Sequence, residues 1–255
     1  MQHKPDTASA MYFSWRHLLK DLAAESERCY VSAMKNIVVL VLFAVSAMAY
    51  AGEESFRLQD GQVMKYLIEM PASTNPAPLT IVMGGGGGDE RQASAAMKKL
   101  GRPLTERGWV AVSPVSPQSR SFFNTLEINQ IVQLMGHLRR RADINYDKIL
   151  IGGLSNGGIS AISIAQMRPS VFRGVIMTPG LPFNLHTGLD LKALPVYLRI
   201  GENDKLRWAE SYPRAVKDLK KANARVDSKI LAGAGHGFPL DWNEIDAWLK
   251  TSAEN

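Results

Sequence analysis

The sequence predicts an α/β fold with a mostly parallel central sheet and helices on both faces. Short apolar, β-rich runs alternate with stretches whose apolar residues recur at helical spacing, which is the pattern of successive βαβ units. The chain has 255 residues, of which 45% are hydrophobic and 21% charged, enough for one sizeable core. No internal repeat or linker interrupts the later part of the chain, so a single domain is expected over 52–255.

The predicted elements follow one another in a regular order. The strands are a hairpin over 56–70 that turns at Asp60-Gly61, followed by runs at 79–83, 109–112, 148–151, 175–177, 196–200 and 228–231. The helices lie at 93–100, 128–138, 159–166, 208–221 and 242–249. Because right-handed crossovers place the carboxyl ends of parallel strands along one edge, we expect ligands to bind at that edge.

Charge and cysteine content limit the partners. The net charge is +6 and the pI about 9.4, but basic residues are scattered apart from Arg139-Arg140-Arg141 and Lys220-Lys221. No groove-reading motif accompanies them, so we interpret them as solvated helix faces and predict no nucleic-acid partner. Cys29 is the only cysteine, which excludes a disulfide framework, a thiolate metal site and a cysteine nucleophile in the rest of the chain. No metal and no other cofactor is predicted.

The segment 34–51 has the layout of a secretory signal peptide. A short positively charged start precedes the apolar run 37–45, and small residues then provide two Ala-x-Ala cleavage frames, at 47–49 and 49–51. The apolar run is shorter than the roughly 20 residues of a membrane-spanning helix, which makes an anchor the weaker alternative. We therefore expect a secreted or periplasmic protein with no stable membrane span after cleavage.

Residues 1–33 precede that segment, although a signal peptide normally lies near the start of translation. Our hypothesis is that Met34 is the true start and that 1–33 is an untranslated leader from an over-extended reading frame. Peptides from 1–33, detected by mass spectrometry in the native protein, would refute it.

Gly153-Leu154-Ser155-Asn156-Gly157 is a Gly-x-Ser-x-Gly pattern in an informative place. The predicted strand 148–151 leads into it, and a helix of small residues, 159–166, leaves it. A nucleophile elbow requires this arrangement, because the serine lies in a strained turn and glycines let strand and helix approach closely. Ser155 is therefore the predicted nucleophile of a serine hydrolase. The alternative is a glycine-rich turn with an incidental serine.

A serine hydroxyl needs a neighbouring base, and three histidines follow the signal segment. His236 lies in a glycine-rich loop after the last strand, where the chain order nucleophile, acid, histidine places the base. His186 lies in another loop and is the weaker candidate. His137 lies in a helix before the nucleophile and is interpreted as a surface or packing residue. We predict His236 as the general base.

The histidine in turn needs a carboxylate that orients it. Asp204 directly follows a buried strand and lies between the nucleophile and the base in the chain. Glu202 is the local alternative, and Asp190 and Asp227 are more remote ones. The non-catalytic alternative for Asp204 is an N-cap of the following helix, a role that aspartate often fills. The chain order favours a catalytic role for Asp204.

Five glycines, 84–88, follow a predicted strand and allow two interpretations. A phosphate-binding loop would end in Gly-Lys-Ser/Thr, whereas Asp89-Glu90 follow here and would repel phosphate. The other interpretation is an oxyanion hole, in which a glycine N–H acts together with the N–H of Asn156. Spacing does not single out the glycine donor; Gly85 is the first choice and Gly86 the second.

Four segments together resemble those of α/β-hydrolases: 83–88, 153–158, 201–204 and 235–237. The resemblance spans 67–249 and is specific for the superfamily but not for a substrate. Within it, the chain is similar to small esterases of the phospholipase/carboxylesterase and polyhydroxybutyrate-depolymerase-like groups. It departs from them at one point, since Met83 or Gly84 stands where such enzymes often carry histidine. The resemblance implies water-dependent acyl transfer with no cofactor.

The resulting hypothesis is hydrolysis of a small-molecule carboxylic ester through an acyl-enzyme on the three predicted triad residues. Phe122 and Phe123 follow a predicted strand and are the candidate substrate-binding residues. The connection 179–193 is too short for a large lid, so we expect an open site that favours short or soluble esters. The same triad serves peptidases and thioesterases. A catalytically silent binding protein with this fold is the alternative from another class.

Overall fold

Eight strands form one sheet in the computed structural model of the protein, which describes residues 51–72, 76–183 and 185–252. In chain order they are β1 Ala51–Arg57, β2 Val63–Glu69, β3 Ala77–Met83, β4 Val110–Pro114, β5 Ile144–Gly153, β6 Gly174–Met177, β7 Pro195–Gly201 and β8 Arg225–Leu231. Their order across the sheet is β1-β2-β4-β3-β5-β6-β7-β8. β2 is antiparallel to β1 and β4, and every other neighbouring pair is parallel. The predicted mostly parallel sheet is confirmed.

Five helices accompany these strands within the described ranges. They are α1, which runs through Glu90–Ala96, Met97–Gly101 and Arg102–Thr105, then α2 Thr125–Leu138, α3 Asn156–Ala165, α4 Trp208–Lys221 and α5 Trp242–Ser252. A short 3-10 turn covers Pro169–Val171. No helix in the described part of the chain has the length and apolar character needed to cross a membrane.

The sheet is covered on both faces by separate apolar cores. α2, α3 and α4 pack on one face, where the larger core includes Ile131, Ile162 and Leu219. α1 and α5 pack on the other face, where Leu100 and Trp248 belong to the second core. The strands β3, β4 and β7 are buried along nearly their whole length, as expected of strands in a mostly parallel sheet that is covered on both faces. The prediction of helices on both faces is therefore confirmed.

The middle of α1 differs from the regular helix that the sequence predicts. All four apolar positions on its predicted face are buried: Ala93, Ala96, Met97 and Leu100. However, Met97–Gly101 is a π-helical turn. Pro103 lies two residues after this turn and has no N–H to donate to it, so the regular hydrogen-bond ladder cannot continue through it. The apolar spacing predicts the buried face but not this change of ladder.

The first hairpin turns at Asp60-Gly61, as predicted. Gly61 has a φ of +88°, a conformation that favours glycine. The Asp60 Oδ1 atom accepts the N–H of Gln62 at 3.0 Å, and the Leu58 N–H donates to the Gln62 carbonyl at 2.8 Å. These contacts are local in the chain, which is why the sequence alone predicts the turn.

The predicted leader 1–33 and signal segment 34–51 lie outside the described residues, except for Ala51, the first residue of β1. All described residues lie in one compact unit, Ala49–Asn255. The signal peptide, its cleavage and the secreted or periplasmic location stay predictions.

His137 of α2 is a packing residue of the first hairpin. Its ring stacks on Phe56, with ring centroids 4.8 Å apart. Its Nδ1 atom lies 2.9 Å from the Arg140 guanidinium, which can only donate, and its Nε2 atom lies 3.2 Å from the Tyr66 hydroxyl. The ring is therefore neutral, with its proton on Nε2. Burial, followed by the nearby Arg140 charge, lowers the pKa of His137.

This lowered pKa predicts a pH-dependent stability. In the unfolded chain His137 titrates near its ordinary value of 6.5, whereas the folded protein takes up this proton only at lower pH. The stabilising contribution is therefore complete above that ordinary value and is lost as the pH falls through the folded pKa. Urea unfolding at about pH 7.5 and about pH 5 should show a larger loss of stability in the wild type than in His137→Gln. Equal losses would contradict the prediction.

Candidate active site

Ser155 lies in a strained turn between β5 and α3, as predicted for a nucleophile elbow. Its φ of +57° and ψ of −123° are unusual for a residue with a side chain. Glycines on both sides make the turn sterically possible. A Cβ atom at Gly157 would lie 2.1 Å from the Met83 carbonyl oxygen, and one at Gly153 would lie 2.2 Å from the backbone of Gly157. Strand, turn and helix therefore approach more closely than any other residue type allows.

The structure brings the three predicted triad residues into one hydrogen-bonded line. The Ser155 Oγ atom lies 2.8 Å from His236 Nε2, and His236 Nδ1 lies 2.8 Å from Asp204 Oδ2. The Asp204 side chain is completely buried, whereas 31% of the His236 side chain is exposed. The second carboxylate oxygen, Oδ1, accepts the Leu206 N–H at 2.8 Å. A buried carboxylate thus orients an imidazole whose other nitrogen reaches the serine hydroxyl.

The loops that carry Asp204 and His236 are bonded directly to each other. The Glu202 N–H donates to the Leu231 carbonyl at 3.0 Å, and the Asn203 N–H donates to the Ala234 carbonyl at 2.8 Å. A Cβ atom at Gly201 would lie 2.0 Å from the Gly235 carbonyl oxygen. These contacts join the ends of the paired strands β7 and β8, so the parallel sheet itself sets the distance between acid and base.

The other acids considered from the sequence have different partners. Glu202 accepts a backbone N–H of the histidine loop, and Asp190 and Asp227 form ion pairs at the surface. Asp204 is not the N-cap of α4 either, because Arg207 occupies that position. Of the carboxylates weighed from the sequence, Asp204 is the one that contacts His236.

The remaining histidines lie away from the nucleophile. His137 packs on the first hairpin, as described above. His186 is exposed and lines a groove of about 1360 Å³ between α2 and α3, together with Phe123 and Phe183. Neither histidine contacts Ser155, so the choice of His236 as the neighbour of Ser155 agrees with the structure.

The two predicted oxyanion donors lie beside Ser155. A Cβ atom at Gly85 would lie 3.4 Å from the Ser155 Cβ, so this glycine borders the nucleophile directly. Among the described residues, none accepts a hydrogen bond from the N–H of Asn156, Gly85 or Gly86. These amides are therefore available to a ligand. Their role in an oxyanion hole, and the choice between the two glycines, stay predictions.

The two candidate substrate-binding residues have different environments. Phe122 is only 1% exposed and belongs to the larger core. Its ring lies beneath Gly88, where a Cβ atom would be 3.1 Å from the ring. It therefore presents no face to a substrate, and its predicted role is corrected to packing under the glycine loop. Phe123 is partly exposed and pairs with Phe183 at a centroid distance of 6.3 Å. An apolar pair in sequence does not reveal which ring is buried.

Trp208, the first residue of α4, is a neighbour of the site that the sequence interpretation missed. Its ring meets His236 edge to face, with centroids 5.1 Å apart and planes at 84°. It follows Asp204 by four residues, which is the only signal that the sequence offers. The indole therefore packs directly against the imidazole, and this contact restricts the tilt of the imidazole ring.

We expect Trp208→Ala to lower kcat about tenfold with little change in KM, because a tilted imidazole transfers the serine proton less well. Trp208→Phe keeps an aromatic contact and should recover most of this loss. Steady-state ester hydrolysis by the two variants checks the prediction. A wild-type kcat in Trp208→Ala would show that the indole does not hold the ring.

Residues that could form a metal centre are not clustered in the described part of the chain: no group of three or more His, Cys, Asp or Glu side chains could hold an ion there. What the described arrangement can do chemically is move a proton from a serine hydroxyl to an imidazole and offer amide N–H groups to a nearby anion.

Residues 67–254 match the family model of the dienelactone hydrolase family. A comparison with curated proteins finds no match. Among solved structures, a carboxylesterase from Mesorhizobium loti is 19% identical with a TM-score of 0.62, and the match covers 77% of this chain and 98% of that protein.

Two further structures are similar. A dienelactone hydrolase from Anabaena variabilis is 16% identical with a TM-score of 0.62, covering 80% of this chain and 99% of that one. A thermostable esterase is 18% identical with a TM-score of 0.61. This match covers 78% of our chain but only 60% of the esterase, so our chain spans well under its full length. At these identities the structural likeness is one of fold.

Proposed function

The chain belongs to the dienelactone hydrolase family of the α/β-hydrolase superfamily, and we propose that it hydrolyses carboxylic esters with Ser155, His236 and Asp204 as its catalytic triad. The family supports a hydrolase of ester-type substrates. The observation that carries the finer proposal is the hydrogen-bonded line from Asp204 through His236 to the Ser155 hydroxyl, with 2.8 Å at both contacts.

The first half of the reaction forms the acyl-enzyme. His236 Nε2 takes the proton of the Ser155 hydroxyl as Oγ attacks the ester carbonyl carbon. The carbonyl oxygen becomes an anion, which the N–H of Asn156 and an N–H of the glycine loop (residues 84–88) stabilise. The imidazolium then donates its proton to the leaving alcohol oxygen as the ester C–O bond breaks. Asp204 stabilises the imidazolium throughout.

The second half releases the acid. Water enters the position of the alcohol and attacks the acyl carbon while its proton passes to His236 Nε2. When the acyl C–O bond to Ser155 breaks, the imidazolium returns this proton to Oγ. The full reaction consumes one ester and one water and forms one acid and one alcohol. The partial positive charge at the start of α3 favours both tetrahedral anions, since Ser155 immediately precedes that helix.

Three other functions are possible for this fold, and they differ in whether they need the triad. A peptidase or a thioesterase would share the triad, whereas a binding protein would have no need of a serine held against a histidine. Purified residues 52–255 should react with a fluorophosphonate probe and hydrolyse p-nitrophenyl acetate and butyrate faster than matched peptide or acyl-thioester substrates. Absence of labelling would reject a serine hydrolase; labelling with preference for the peptide or thioester would reject the ester assignment.

A further inference from the structure

The side chain of Asn156 connects the nucleophile turn to the glycine loop. Its Nδ2 atom donates to the Gly86 carbonyl at 3.1 Å and to the Ser121 Oγ atom at 3.2 Å. The Ser121 hydroxyl donates in turn to the same Gly86 carbonyl. The Gly86 carbonyl and the Ser121 hydroxyl lie close together, so they share the Asn156 amide as a bifurcated hydrogen-bond donor. Asn156, Ser121 and Gly86 thus form a closed hydrogen-bonded triangle, which we call the amide clamp.

The glycine loop needs such a clamp because its residues have no side chains of their own. A run of glycines loses more conformational entropy on ordering than any other sequence, so contacts from outside must select one conformation. The Gly85 carbonyl accepts the Gly88 N–H at 3.0 Å within the loop. The amide clamp holds the next carbonyl along, that of Gly86. With both carbonyls held, the two peptide planes that contain them, Gly85–Gly86 and Gly86–Gly87, are also oriented.

Orientation of these peptides decides where their N–H groups lie. In a trans peptide the C=O and N–H point in opposite directions, so holding the Gly85 and Gly86 carbonyls directs the N–H groups of Gly86 and Gly87. Gly86 has a φ of +53° and Gly85 borders the Ser155 side chain. The conformation of this short stretch therefore controls the amides nearest the nucleophile, and donors must be oriented before the reaction to stabilise an oxyanion.

We propose that Asn156 and Ser121 are positioning residues that hold the glycine loop in its oxyanion-binding conformation. The inference rests on the proposed function. Asn156 then has two separate tasks: its backbone N–H stabilises the anion directly, and its side chain holds the Gly86 carbonyl, which restricts the backbone on both sides of Gly86 and so the neighbouring glycine N–H that serves as the second donor. Other contacts place the loop as a whole, since the Ser116 N–H donates to the Gly88 carbonyl at 2.8 Å. The amide clamp is the part that reaches from the nucleophile turn itself.

The test uses variants that remove hydrogen bonds with little change of shape. Asn156→Asp is isosteric but has no N–H to donate, and Ser121→Ala removes the hydroxyl, which Ser121→Thr restores. We expect Asn156→Asp and Ser121→Ala to lower kcat for p-nitrophenyl butyrate by about 10- to 100-fold, with KM changed less than about threefold. Ser121→Thr should keep near wild-type kcat. The matched control is Asn129→Asp, at an exposed asparagine of α2, which should behave as wild type.

A second measurement reports on the oxyanion site rather than on the fold. Phenylboronic acid forms a tetrahedral anionic adduct with an active-site serine. Its affinity should therefore fall in parallel with kcat in Asn156→Asp and in Ser121→Ala. The double variant Asn156→Asp/Ser121→Ala should have a kcat within about twofold of that of the more impaired single variant, because both side chains act through the Gly86 carbonyl. If Asn156→Asp fails to fold, the pair Ser121→Ala and Ser121→Thr carries the test by itself.

The outcomes separate this inference from the proposed function. An unchanged kcat, a rise in KM alone, a boronate affinity that does not follow kcat, or fully additive losses would each overturn the amide clamp while leaving the serine hydrolase intact. A wild-type protein that neither hydrolyses esters nor reacts with a fluorophosphonate would instead overturn the proposed function, and the clamp with it.

Discussion

Ser155→Ala is expected to reduce ester hydrolysis by roughly a millionfold, the loss typical of removing a serine nucleophile from an intact triad. Alanine has no atom that could bond to the acyl carbon, so no acyl-enzyme forms, whatever the remaining residues do. The backbone turn should survive, because the positive φ of Ser155 is supported by the glycines around it and alanine differs only by the hydroxyl. Activity should therefore vanish without loss of the fold.

Initial rates with p-nitrophenyl butyrate and labelling by a fluorophosphonate probe both measure this effect. Ser211→Ala, at an exposed serine of α4, is the matched control and should keep wild-type rates and labelling. Thermal unfolding of both variants within a few degrees of the wild type would show that the fold is retained. Substantial hydrolysis by Ser155→Ala would mean that the nucleophile lies elsewhere.

Asp204→Asn is expected to lower kcat by about 10³- to 10⁴-fold through the tautomer of His236. The Leu206 N–H donates to one side-chain oxygen of Asp204 at 2.8 Å and needs an acceptor there. The introduced amide nitrogen must then face His236 Nδ1 and donate to it. This moves the imidazole proton to Nε2, the atom 2.8 Å from the Ser155 hydroxyl. An Nε2 that already carries a proton cannot accept the serine proton.

The same kinetic assay measures this loss, and Asp190→Asn provides the control at a surface carboxylate that the sequence left as an alternative. That variant should hydrolyse esters at the wild-type rate. A loss smaller than about tenfold in Asp204→Asn would show that Asp204 does not orient the base, since removing a true partner costs far more. Fluorophosphonate labelling of Asp204→Asn should also slow, because the same deprotonation precedes it.

Several parts of the fold could be predicted because their signals are local. The hairpin turn at Asp60-Gly61 depends on contacts within four residues, and the apolar spacing of α1 is a property of one helix. By contrast, β8 begins at Arg225, three residues before the predicted start. Its polar side chains do not form the apolar pattern from which strands are predicted. The strand forms because its backbone is hydrogen-bonded to β7, and such bonds do not depend on side-chain polarity.

The sequence by itself determined the α/β class, the elbow around Ser155 and the chain order of Asp204 and His236. These follow from backbone requirements that particular residues meet: glycines at a close approach, apolar runs for buried strands, and a fixed order of strand ends. Only the tertiary structure decided which side chains meet across loops. It buried Phe122, set Trp208 beside the imidazole and joined Asn156 to the glycine loop.

The physical reason is the separation along the chain. The Ser155–His236 contact spans 81 residues and the Asn156–Gly86 contact spans 70. Such contacts depend on where parallel strands end at one edge of the sheet and on the rotamers that packing selects there. The residue after a nucleophilic serine is free to vary in a sequence pattern, and only the folded structure shows that the side chain of Asn156 contacts Gly86 in the glycine loop.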